Sequence, residues 1–196
     1  MDVTLLDYTT DPVNAIGAMA GICYDADLTR EKNIKRASHC KSKGHLAVLR
    51  FAYATFKIGG ISRVASHQLV RVAHAGILQQ SQRYVEQSNV RFIRPPSIDS
   101  LPAALRIQWS RLLTESDELY TNSIKAGMKK EDARYILPQS CTTSLVLTGN
   151  FQMWRDLLGN RTAKAAQWEI RDVAIEIQNQ LHGIAPEIFD EVVVVQ

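Results

Sequence analysis

The chain has 196 residues, 45% of them hydrophobic and 22% charged, with a formal net charge of +3. That length supports a single domain with its own core, and that balance is the one of a globular protein. No apolar run approaches the roughly 20 residues that span a bilayer, so no membrane association is expected. The mild positive charge suits a small anionic ligand and is too weak to imply nucleic acid.

The opening segment MDVTLLDYTTDP has no basic stretch followed by an apolar one, so no secretory signal is expected. Cys23, Cys40 and Cys141 are odd in number and show no C-x-x-C spacing. This pattern argues against a disulfide framework or a zinc site and fits a reducing, cytoplasmic setting.

In chain order, VTLLDY predicts a first strand. Thr10 or Asp11 caps a helix with Pro12 at its first position, running to about Cys23. LTREKNIKRASHCKSKG predicts a second, basic helix closed by Gly44. Leu46 to Ile58 is β-rich, with Tyr53, Thr55 and Phe56 favouring a strand that Gly59-Gly60 breaks. Ile61, Val64, Ala65, Leu69 and Val72 then recur at helical spacing, which puts Ser62, His67, Gln68 and Arg71 on one short helix. Gln79 to Asn89 is polar and predicts a loop, followed by a short strand in VRFIRPP.

Ser100 with Pro102 opens the longest helix. Its apolar stripe is Leu105, Trp109, Leu112, Leu113, Leu119 and Ile124, and Trp109 is expected in the core together with Trp154. Glu131 to Leu137 predicts a short helix stopped by Pro138, and Thr143 to Thr148 a strand. Two helices follow, over about 150–158 and 162–182, with Gly159-Asn160 between them, and PEIFDEV with a Val run closes the chain. Helices and strands mix without regular alternation, so the fold class is α+β, with residues 1–196 as one domain.

The stretch with most chemistry is SRVASHQLVRVAHAGILQQSQRYV, residues 62–85. Arginine forks, a hydroxyl and free backbone N–H groups are what a phosphate dianion needs, although a solvated helix end would have the same composition. The spacing decides between them by resemblance. Arg71, then Ser81-Gln82-Arg83-Tyr84, is similar to the signature of the flavin-dependent thymidylate synthases, R-H-R, seven residues, S-x-R-Y. EDARYILP at 131–138 resembles that family's segment with a nucleotide-binding arginine, here Arg134. NRTAKAAQWEIR at 160–171 resembles its C-terminal helix, with Arg161 and Asn150 at matching positions, and Gly44-His45 matches the start of G-H-x-S-x-L-E-H. Four blocks in the same order make a far more specific pattern than one.

The resemblance implies a mostly antiparallel central sheet flanked by helices and a homotetramer with active sites between subunits. It implies reductive methylation of dUMP at C5 to dTMP, with FAD as cofactor and methylenetetrahydrofolate and NADPH as co-substrates. It assigns Gln68, Gln80, Ser81, Gln82, Arg83, Arg134 and Arg161 to the substrate, with Arg161 also catalytic. It assigns His45, Arg71, His74, Gln79, Asn150 and Asp156 to the cofactor. No cysteine stands in a nucleophile context, so cationic groups that polarise the uracil carbonyls would activate C5. No G-x-G-x-x-G occurs, which argues against a Rossmann-type flavin site. No histidine pair has H-x-x-x-H spacing, so no metal is expected.

Several positions depart from the family pattern. R-H-R is Arg71-Val72-Ala73 here, with His74 one place along. Ala47, Arg50 and Phe51 replace the serine, glutamate and second histidine of G-H-x-S-x-L-E-H, and Asp156 stands where asparagine is frequent. The departures cluster on the cofactor side, while the nucleotide positions are kept. Two alternatives therefore stay open: a divergent enzyme that modifies C5 of another pyrimidine nucleotide, and a nucleotide-binding subunit without catalysis.

Overall fold

A computed structural model describes residues 1–190. Its frame is one four-stranded antiparallel sheet, as the α+β reading expects. The strands are β1 (Asp2–Tyr8), β2 (Tyr53–Ser62), β3 (Gly76–Gln79) and β4 (Thr142–Asn150), in spatial order β1-β2-β4-β3. β2 and β4 form the centre, paired from Tyr53↔Asn150 to Ser62↔Thr142. Alternation on these two strands sends Ala54, Phe56, Ile58, Leu145 and Leu147 into the core. Tyr53, Thr55, Lys57, Val146 and Thr148 lie on the opposite, less covered face.

The helices are α1 (Pro12–Ile22), α2 (Arg30–Ser42), α3 (Arg63–Leu69), α4 (Ala103–Lys125), α5 (Lys130–Ala133), α6 (Phe151–Arg161), α7 (Trp168–Ile184) and α8 (Pro186–Phe189). α6 and α7 supply much of the core, with Trp154, Leu158, Ile170, Val173, Ala174, Ile177 and Leu181 buried. Trp154 fixes α6 to the sheet twice. Its indole N–H donates to Ala54 O at 3.0 Å, and its ring meets Phe56 edge-on at 5.0 Å. α1 and α2 pack so closely that a Cβ on Gly17 would lie 1.9 Å from the carbonyl oxygen of Asn33.

The junction of β2 and α3 is held from inside. Ser62 caps α3 by accepting from Ala65 N–H at 3.0 Å. The buried Glu169 carboxylate, in the first turn of α7, accepts from Ser62 N–H and from the Ser62 hydroxyl, both at 2.6 Å. One carboxylate thus sets where the strand ends and which way α3 leaves it.

Several boundaries differ from the sequence expectation. Leu46–Phe51 is a 3-10 helix rather than the start of a strand, with Leu49 buried beneath it. Gly59-Gly60 does not break β2. The strand absorbs a bulge there, with Gly60 at φ 63°, and continues to Ser62. Gln79 belongs to β3, not to a loop, and VRFIRPP contributes only a bridge between Phe92 and Cys141. The predicted helix over 131–137 divides into α5 and a 3-10 turn over Arg134–Ile136. Gly159-Asn160 lies inside α6, where Asn160 donates back to Asp156 O at 2.8 Å, and α7 begins only at Trp168. Asp11 stands at the N-cap of α1 without capping it. Its carboxylate receives Arg30 Nε and Nη2 at 2.7 and 3.0 Å instead. The Val run lies outside the described residues.

The largest departure is α4. Its 23 residues bury one side chain, Tyr120. Leu105 is 45% exposed, Trp109 40% and Leu112 56%, so Trp109 is not a core residue of this chain, whereas Trp154 is.

Glu169→Ala leaves the buried Ser62 N–H and hydroxyl without their acceptor. It should lower the unfolding free energy by about 3 kcal/mol, as measured by urea denaturation. An unchanged midpoint would show that the clamp is not structural.

Candidate functional site

A cleft of about 770 Å³ opens at the end of the sheet where β2 begins, β4 ends and β3 begins. That is within the size range of small-molecule sites. Three chain segments build it. Arg50 comes from the 3-10 helix before β2. Arg71, Val72, Ala73 and His74 come from the turn between α3 and β3. Asn150, Gln152, Met153, Asp156, Leu157, Asn160 and Arg161 come from the end of β4 and one side of α6.

The cleft is cationic. Among the described residues, no hydrogen bond or ion pair to protein holds the side chain of Arg50, Arg71 or Arg161. The one carboxylate on the wall, Asp156, is occupied by Gln152 Nε2 at 2.8 Å. The other end of that amide, Gln152 Oε1, is buried with no hydrogen-bond partner. Asn150 caps α6 by accepting from Met153 N–H at 2.9 Å through Oδ1, which leaves its NH2 for a ligand. His74 holds φ 62°, a left-handed conformation costly for a residue with a Cβ.

Five of the residues assigned by resemblance therefore meet here: Arg71, His74, Asn150, Asp156 and Arg161. Arg50, a departure from the family pattern whose charge suits an anionic cofactor edge, joins them, and so does Gln152, which sequence reasoning missed. Gln152 sits two residues beyond Asn150, inside a helix whose other side is core, and nothing in its neighbours marks it.

The other assigned residues lie elsewhere. His45 is exposed ahead of the 3-10 helix and does not line the cleft. Gln79 donates through Nε2 to the Ser66 hydroxyl at 2.9 Å and to Thr143 Oγ1 at 3.2 Å. With Gln80 it borders a shallow hollow of about 310 Å³ over β3 and β4. Gln68 is half-buried on α3, near the cleft in sequence but not on its wall. Gln82 is buried and donates to Cys141 Sγ at 3.4 Å.

Ser81, Arg83 and Arg134 gather around Glu131. Arg83 Nε and Nη2 both reach Glu131 Oε2 at 3.0 Å, Arg134 Nε donates to Glu131 O at 3.0 Å, and Ser81 Oγ accepts from Arg83 N–H at 3.2 Å. The Arg83 side chain remains 56% exposed, so this ion pair costs little to exchange for a better anion. Register puts Gln79 opposite Leu145 on β4. From there to Asn150 the strand runs about 15–20 Å at 3.4 Å per residue. Within one chain, the arginines around Glu131 and the cleft are separate places.

Among the described residues no group of three His, Cys, Asp or Glu side chains is placed to hold a metal, and no helix is long and apolar enough to cross a membrane.

The fold is α+β, with a polar, cationic cleft of small-molecule size beside its sheet. A family model described as thymidylate synthase complementing protein matches residues 4–187. The chain is 37% identical over 191 residues to the flavin-dependent thymidylate synthase of Thermococcus onnurineus, covering 91% of this chain and 78% of that protein. It is 37% identical over 199 residues to the protein of the same name from Geobacter sulfurreducens, covering 96% and 85%. The figures for the Clostridium tetani protein of that name are 32% over 213 residues, covering 95% and 84%. The chain belongs to the thymidylate synthase complementing protein family.

All three cysteines are free thiols. Burial pushes the Cys141 thiol above its ordinary pKa, against a smaller opposing effect of the Gln82 hydrogen bond. At pH 8 the raised group stays protonated, and it is also shielded. A thiol reagent should therefore label exposed Cys23 in the native protein and reach Cys141 only on unfolding. Mass spectrometry of the native digest checks this; rapid labelling of Cys141 would contradict its placement.

Proposed function

We propose that this chain is a flavin-dependent thymidylate synthase, with residues 1–196 acting as one domain. It would place the one-carbon unit of methylenetetrahydrofolate on C5 of dUMP and reduce it to the methyl group of dTMP. FAD occupies the cleft, and NADPH supplies the electrons. The observation that carries the reading is the convergence of Arg71, His74, Asn150, Asp156 and Arg161 on one cleft, in a chain of this family.

The donor set fits a dinucleotide. Three guanidinium groups against one carboxylate leave positive charge for phosphates, while the Asn150 NH2 suits the polar edge of a ring. FAD, when bound, provides the hydride chemistry. The chain's own part is binding and electrostatics. Arg161 sets a fixed cation at the cleft, where it polarises a uracil carbonyl and stabilises the charge that develops as C5 attacks. Ser81, Arg83 and Arg134 take the nucleotide phosphate, with Arg83 exchanging Glu131 for it. Gln68 and Gln80 meet the nucleotide's polar edges. No cysteine lines the cleft among the described residues, which favours this polarisation over addition of a protein thiol.

Two features support a homotetramer with shared sites. The arginines around Glu131 and the cleft are far apart in one chain, and α4 presents an apolar stripe that its own chain does not cover. Three free thiols support a cytoplasmic location.

Purified protein should show the absorption bands of bound flavin and convert dUMP to dTMP when supplied with methylenetetrahydrofolate and NADPH. Flavin binding without that product would overturn the reaction assigned. Arg83→Ala should weaken dUMP binding about ten- to a hundredfold, read by calorimetric titration; an unchanged affinity would remove Arg83 from the phosphate.

Shared sites have their own test. Arg161→Ala and Arg83→Ala proteins, each inactive alone, should regain activity when unfolded and refolded together, because mixed assemblies contain some sites with neither lesion. No recovery from a mixture shown to contain hybrids would confine the site to one chain.

A further inference from the structure

The reading above counts Arg50 only as one of three guanidinium groups on the wall, and the family pattern gives it no contact, since that pattern carries a glutamate at this position. Its surroundings give it a role. Arg50 lies in the last turn of the 3-10 helix that leads into β2, and Tyr53 pairs with Asn150, so the backbone brings Arg50 to the cleft beside the start of α6. Arg71 lines the same cleft, as do Val72 and Ala73, the positions where the family pattern has a ring and a guanidinium. The site has thus lost a cation from the turn after α3 and gained one from the turn before β2, and both turns line one cleft.

The charge balance points to the same ligand group. Arg50, Arg71 and Arg161 have no protein acceptor among the described residues, and Asp156 is the one carboxylate on the wall. With Arg161 assigned to the uracil carbonyl, Arg50 and Arg71 are the two guanidinium groups left for the two charged phosphates of a dinucleotide. A guanidinium suits this task, with planar paired N–H donors for phosphate oxygens. Arg50 is exposed on a short connection, so its side chain has room to meet a ligand without rearranging the core.

We propose that Arg50 is a phosphate-binding residue of this cleft, and that with Arg71 it clamps the pyrophosphate of the dinucleotide and makes the site prefer FAD to riboflavin. The proposal rests on the reading of the cleft as a flavin site, and its test separates the two. FAD, riboflavin and inorganic pyrophosphate are each titrated into the wild-type protein and into Arg50→Gln, with flavin fluorescence and calorimetry as readouts. A thermal melt of the free proteins checks that the exposed substitution leaves the fold intact.

Arg50→Gln should weaken FAD about ten- to a hundredfold, leave riboflavin unchanged, and flatten the dependence of FAD affinity on salt. Equal FAD affinity in the two proteins would overturn the role of Arg50 and leave the flavin site standing. An equal loss for riboflavin would also overturn it, because Arg50 would then act on the ring. Wild-type protein that binds pyrophosphate through Arg50 but not FAD would keep the phosphate site and overturn the flavin reading. Binding of neither would overturn both.

Discussion

Antiparallel order is the constraint on which the cleft depends. With β4 between β2 and β3, the start of β2, the end of β4 and the start of β3 must lie at the same end of the sheet. Each of those ends is joined to a segment with an arginine: Arg50 before β2, Arg71 before β3, and Arg161 at the far end of α6, which follows β4. The sheet converts three positions spread over more than a hundred residues into one wall. The Ser62–Glu169 clamp completes the geometry from the other end. It fixes the departure of α3, and the chain returns through Arg71 to His74 before β3 can pair.

Much of this was legible where a local signal has a local cause. Pro12 at the first turn of α1, Gly44 after α2 and the alternation of β4 each reflect backbone chemistry that operates without tertiary context. Leu46–Phe51 misled because a short apolar run is compatible with a strand or with a turn of helix over a core, and only the burial of Leu49 selects the second. Gly59-Gly60 misled for the opposite reason. Two glycines permit a break, but β4 offers partners on both sides of them, and the ladder continues through a bulge.

The candidate site was legible in part. The cleft residues could be assigned because the family blocks supply them. That the S-x-R-Y block would stand apart from them could not be read from spacing, since β3 lies between Arg71 and Ser81 and carries the chain along the sheet. Gln152 gave no signal at all; its meaning lies in an orphaned acceptor, which exists only in three dimensions. The stripe on α4 was real as a pattern, but periodicity states which residues share a face and not what covers it. A 23-residue helix with one buried side chain gains little from its own chain, and in the proposed tetramer its stripe is where another copy would pack.

The departures from the family motif differ in kind, and that decides which a site tolerates. A positive charge acts on a phosphate through distance and a set of N–H donors on a long flexible stem. Moving the guanidinium from one wall of a cleft to another preserves the attraction provided both walls face the ligand. An imidazole acts through one donor, one acceptor and a plane, so its place is far less exchangeable. Ala73 removes a cation from the cleft, and Arg50 both restores one and removes the glutamate of the family pattern. Val72 has no such counterpart at its own position; the imidazole on this wall is His74, two residues on in a left-handed backbone. If the cleft holds a flavin as proposed, its phosphate end has been rebuilt, and Val72 sets an apolar wall where the family pattern has a ring.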